Sequence, residues 1–146
     1  LKCLRLTDLD DDGLPEVVYG TEDGWVYAVD AEDGSEIWQL NVVGSLMGLA
    51  ISPDGVLAAS EFGDVYTIGR DGVVRARWRV GDGITAVAGS CDQLVLAVDE
   101  RLLLRVESSG VTARLRVQGE IHQMVAIGSE VFADLPDARI IAHRFD

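Results

Sequence analysis

Apolar and polar positions alternate with a period of two along most of this chain. "SEIWQLNV" (35–42) and "VVRARWRV" (73–80) show the pattern of half-buried strands. "WVYAVDA", "DVYTIGR" and "LLLRVES" are short runs rich in Val, Leu, Ile and Tyr, bounded by Gly and Asp, and they too predict strands. Turn signals such as "EDG", "PDG", "RDG" and "SSG" recur about every ten residues. No segment holds a helical period over three turns, so the pattern predicts an all-β protein.

The pattern also repeats. Gly34, Gly72 and Gly110 lie 38 residues apart, and Ala50, Ala88 and Ala126 keep the same step. Gly81 and Gly119 share it, with Gly44 one residue out of phase. A fixed period of 20–50 residues marks a solenoid, a propeller or an array. Four strands fit each unit, and in the first they fall at roughly 2–7, 16–21, 25–30 and 36–42. Four antiparallel strands per ~40 residues make the blade of a β-propeller. The predicted blades are about 1–43, 44–80, 81–118 and 119–146. The fourth yields "IHQMVAI", "EVFADL" and "RIIAHRF", one strand short, which leaves "RIIAHRF" as an open edge. The competing reading, a β-sandwich with accidental spacing, does not explain two residue types in register over three units.

With 146 residues and 48% apolar content, the chain suits one domain with a sizeable core. Its formal charge of −13 argues against nucleic acid or anionic lipid as partner and favours cations or basic partners. No apolar run approaches the ~20 residues of a membrane span, so no membrane insertion is expected. No signal peptide is visible, yet the chain opens at Leu1 without Met, compatible with a removed leader. Cys3 and Cys91 are too few for a disulfide scaffold or a Cys-only zinc site. They are expected at opposite ends of innermost strands and so as two free thiols.

"DLDDDGLPE", Asp8 to Glu16, places five carboxylates in nine residues. Two unit charges ~4 Å apart repel by ~1 kcal/mol even in water, so such a turn opposes folding unless a cation neutralises it. Asp8, Asp10 and Asp12 alternate, so a looping backbone turns all three side chains inward. Gly13 permits the positive φ of a sharp loop. The Leu14 carbonyl offers an uncharged oxygen, Glu16 closes the site, and Asp11 is expected to be a solvated extra charge. Oxygen ligands without His or Cys select Ca²⁺ over zinc or copper. The corresponding turns "SPDG", "GSCDQ" and "IGSE" lack the array, so the acidity is not a general solubilising feature. One structural Ca²⁺ site is expected, with Asp8, Asp10, Asp12, Leu14 and Glu16 as ligands.

The D-x-D-x-D-G-x-P-E pattern at 8–16 resembles the integrin-type calcium loop of FG-GAP propeller repeats. The A-x-D-x-x-x-G-x-x-x-W pattern (Ala28, Asp30, Gly34, Trp38) resembles the tryptophan-docking motif of PQQ-like, quinoprotein-type blades. Blade two keeps Gly72 and Trp78 but lacks the Ala and Asp, and blade three keeps only Gly110. The resemblance implies a propeller fold and says little of function, because propellers host many. Trp38 and Trp78 are expected to pack between neighbouring blades, Trp25 to lie at a loop face, and His122 and His143 to be packed or surface residues.

Catalysis finds no support. "GSC" at 89–91 has no recognisable His and acid partners, and no carboxylate pair is marked by context. The expected function is a non-enzymatic calcium-binding propeller module for protein binding or self-assembly through the open edge of the last blade. A weak calcium site is filled at extracellular calcium levels, which points to an extracellular or cell-envelope location. The alternative is a fragment of a PQQ-dependent dehydrogenase-type propeller. The single docking motif and the absence of an adjacent-cysteine pair count against it.

Overall fold

A computed structural model describes residues 3–52, 54–90, 93–99, 102–107, 109–116, 121, 123–127, 130–134 and 140–144. The first sheet contains β1 (Cys3–Thr7), β2 (Glu16–Gly20), β3 (Trp25–Asp30) and β4 (Glu36–Asn41). The second contains β5 (Leu46–Ser52), β6 (Gly55–Ser60), β7 (Asp64–Gly69) and β8 (Val74–Arg79). The third contains β9 (Ile84–Ser90), β10 (Gln93–Val98), β11 (Leu102–Glu107) and β12 (Gly110–Arg116). The fourth shows β13 (Gln123–Ile127), β14 (Glu130–Asp134) and β15 (Ile140–Arg144). Every sheet is an antiparallel meander in chain order. The all-β propeller architecture is thus as the alternation and the 38-residue step predict. Cys91 and His122 lie outside the described residues, as do the side chains of Cys3 and His143.

The repeat extends to details of backbone geometry. The third and fourth strands of the first three sheets slip register at equivalent places, Ala28/Val29, Thr67/Ile68 and Arg105/Val106. Each slip borders the turn that holds Gly34, Gly72 or Gly110, and all three glycines have positive φ. That backbone requirement is why the sequence spacing is fixed there. The turns after β2 and β6 repeat as well: Val42 N–H donates to Gly24 O at 2.8 Å, and Val80 N–H donates to Gly63 O at 2.8 Å.

Burial falls from the inner to the outer strands. β6 is buried on both faces because it lies between the first and third sheets, whereas outermost β8 is mostly exposed. Innermost strands pack in the order β1, β5, β9, β13. Apolar layers fill the gaps between sheets. Val18, Val26, Ala28 and Trp38 of the first sheet meet Leu49, Val56, Ala58, Tyr66 and Ile68 of the second. Ala50, Leu57, Ala59 and Val65 then meet Leu94, Leu96, Leu104 and Val106 of the third. Each fully buried Leu or Ile here contributes about 1.5–3 kcal/mol, so the inter-blade layers are the core. No comparable packing joins β13 back to β1 among the described residues. The four sheets therefore form an open arc and not the closed small ring that four blades alone would suggest.

Candidate metal centre

The acidic loop joins β1 to β2, whose pairing ends at Thr7 opposite Glu16. Its backbone turns on its own carboxylates. Asp8 Oδ2 accepts the Gly13 N–H at 3.0 Å, Asp10 Oδ1 accepts the Asp12 N–H at 3.2 Å, and Asp12 Oδ1 accepts the Leu14 N–H at 2.7 Å. Positive φ at Asp11 and Gly13 makes the sharp bends. Leu9 anchors the loop by burying its side chain in the layer between the first two sheets.

Asp8, Asp10 and Glu16 each bring one carboxylate oxygen within 4.8 Å of the others. Asp8 and Asp10 are exposed, whereas Glu16, on the inward face of β2, is only 3% exposed. The Glu16 carboxylate accepts the Leu9 N–H. Calcium–oxygen bonds of about 2.4 Å place two ligands on one ion no more than about 4.8 Å apart, so the spacing of the three oxygens fits a shared Ca²⁺. Asp12 stands outside this group, its Oδ1 held by its own loop. Leu14 donates its N–H to that carboxylate and leaves its side chain exposed.

Asp11 is not the solvated extra charge that the sequence suggests. Its Oδ2 lies 2.6 Å from Arg70 Nη1, which also donates to Leu9 O at 3.3 Å. Arg70 belongs to the β7–β8 turn of the second sheet. Its carbonyl accepts the Trp38 indole N–H at 2.8 Å, and Trp38 is buried against Gly72. A Cβ at Gly72 would fall 2.6 Å from Trp38 Cγ. The carboxylate loop, Trp38 and the Arg70 turn thus form one junction between the first two blades. Trp78 packs in the next layer, against the cluster shared by the second and third sheets. Its indole N–H has no partner among the described residues. Trp25 is half-buried and stacks on Tyr27, with centroids 6.1 Å apart.

Two pKa shifts lie outside the loop. The Ser35 hydroxyl, and then its backbone N–H, hold the Asp33 carboxyl below its ordinary value. A hydrogen bond to the buried Asp64 carboxylate raises the Arg77 pKa.

No protein-family model matches the chain, and no curated protein sequence matches it. Similarity is found among solved structures. BBS1N, solved in complex with ARL6DN, aligns with a TM-score of 0.75 at 12% identity over 97% of this chain and 50% of that one. The Myceliophteria thermophila Cps50 (Swd1) beta-propeller domain aligns with a TM-score of 0.68 at 14% identity, over 90% of this chain and 50% of that one. The computationally designed Ika4 protein aligns with a TM-score of 0.73 at 14% identity, over 99% of this chain and 91% of that one. The chain thus spans about half the length of the BBS1N and Cps50 chains and nearly all of Ika4. At these identities the likeness concerns the fold, and that fold is a β-propeller.

Proposed function

We propose that the chain is a non-enzymatic calcium-binding propeller module that works by binding protein, including further copies of itself, in an extracellular or cell-envelope setting. The observation that carries this reading is the convergence of Asp8, Asp10 and the buried Glu16 in one loop. A buried carboxylate beside two others is costly without a counter-charge. A divalent cation supplies that charge, and the Arg70–Asp11 pair neutralises a further acid of the same loop. Asp12 and the Leu14 carbonyl complete the ligand set when the loop closes on the ion. The ion pins β1 to β2 beside the first inter-blade junction. A loop of this kind, part exposed and built from mobile carboxylates, belongs with sites filled at roughly 10⁻⁴–10⁻³ M calcium, hence the proposed location.

Protein binding is supported by the exposed β15 edge of the fourth sheet, a template for strand addition. The BBS1N complex with ARL6DN supplies an instance in which a protein of similar fold holds a protein partner. The Ala28–Trp38 pattern, which suggested a quinoprotein, is accounted for here by inter-blade docking on the Arg70 turn.

Isothermal titration with CaCl₂ tests the reading. One ion per chain is expected for the native protein and none for Glu16→Gln. A native protein without a calcium isotherm at millimolar concentration overturns it.

A further inference from the structure

The first blade carries an inter-blade surface with no blade upon it. β2 and β3 direct Val18, Val26 and Ala28 toward the second sheet. By alternation Val17, Tyr19, Trp25, Tyr27 and Val29 take the opposite face. Tyr19 and Tyr27 stack there with ring centroids 5.0 Å apart, and Trp25 extends the row. On the flanking β1, Leu4 and Leu6 are 47% and 63% exposed. A continuous apolar and aromatic sheet face of this kind marks a contact surface.

The repeat identifies the kind of contact. Tyr27 is the third residue of β3, Tyr66 the third of β7 and Leu104 the third of β11. Tyr66 is buried against the first blade, and its hydroxyl accepts the Val43 N–H of the preceding connection at 3.3 Å. Leu104 is buried against the second blade. In both blades whose predecessor is described, this position therefore packs on the blade before it. Tyr27 occupies the same place with no predecessor in the arc. The surface is built to receive another blade, not a small ligand or a helix.

We infer that the blade seated on it is the fourth blade of a second copy of this chain, so that two four-bladed arcs close one ring. This rests on the reading of the chain as an assembly module and names the surface and the partner. A second arc offers the first blade the same kind of sheet that the first and second blades offer their successors. A twofold axis makes the two junctions identical, as closed dimers require. The span of about half the BBS1N and Cps50 chains accords with half a ring. This contact is face-to-face packing on the first blade, distinct from strand addition at the β15 edge.

The test is sedimentation equilibrium of the native chain and of Leu6→Asp and Tyr27→Asp, each with calcium and with chelator. The native chain is expected at twice its 15.7 kDa mass. Each variant is expected at monomer mass with native circular dichroism, its dimer weakened at least tenfold. Should either variant misfold, Leu4→Arg provides the same reading at a position already half exposed. A monomeric native chain at 100 µM, or a dimer indifferent to all these charges, overturns the inference. Calcium titration of the same samples separates the two proposals. A dimer that binds no calcium leaves this inference standing and removes the metal site; a monomer that binds one ion does the reverse.

Discussion

Replacing Glu16 by Gln separates an ion ligand from a mere hydrogen-bond acceptor. Glu16 lies 3% exposed, with carboxylate oxygens of Asp8 and Asp10 within 4.8 Å. At that separation each repulsion is worth about 0.9 kcal/mol in a water-like dielectric and about 3.5 kcal/mol at an effective dielectric of 20. Asp8 and Asp10 are exposed, so the lower figure applies and the pair costs about 2 kcal/mol without an ion. Gln retains an oxygen for the Leu9 N–H but gives up the charge assistance, a loss of about 1 kcal/mol. In chelator the variant is therefore expected to match or exceed the native protein by up to about 1 kcal/mol. In about 10 mM calcium, a dissociation constant of roughly 10⁻⁴–10⁻³ M stabilises the native protein by about 1.4–2.7 kcal/mol, and the variant forgoes this. The order of the two proteins reverses between the media. Urea denaturation at one fixed protein concentration reads it. An equal loss of stability in calcium and in chelator would show that Glu16 serves only the Leu9 N–H and would refute the ion-ligand argument.

Trp38→Phe keeps most of the apolar contact but leaves the Arg70 carbonyl unpaired, so urea midpoints should report a loss of roughly 1–3 kcal/mol. Asp11→Asn removes an exposed ion pair and should cost under about 1 kcal/mol at low salt, with the difference vanishing as sodium chloride is raised toward 1 M. Asp33 has a folded-state pKa below its unfolded value near 3.8, so its contribution is present above that value and is lost as pH falls through the folded pKa. Ser35→Ala should raise the Asp33 pKa back toward 3.8, as a carboxyl-carbon NMR titration would read directly.

Much of the fold was legible because its signals are local. Strand alternation, and turns that need a positive φ at Gly34, Gly72 and Gly110, leave their mark within a few residues. The β2 and β3 boundaries follow from "EVVYG" and "WVYAVD" lying between turn residues. The acidic loop was legible as a ligand-rich segment, but not how its residues divide the work. Alternate spacing made Asp8, Asp10 and Asp12 look equivalent. The backbone instead occupies Asp12 with the Leu14 N–H and groups Asp8 and Asp10 with Glu16.

Asp11 was misread because its partner, Arg70, lies 59 residues away in the next blade. Leu9 offered a signal that went unused: one apolar residue amid four aspartates has little reason to be there unless it is buried. The uncovered face of the first blade was also hidden. Tyr27 and Tyr66 occupy the same sequence context, and only the arc reveals that one has a blade against it and the other does not.

Native mass spectrometry of the purified chain, sprayed from calcium and from chelator, tests the central claim most directly because it weighs protein and metal together. The account predicts one Ca²⁺ per chain, lost in chelator. A mass with no bound metal in calcium would contradict the reading of the loop from Asp8 to Glu16.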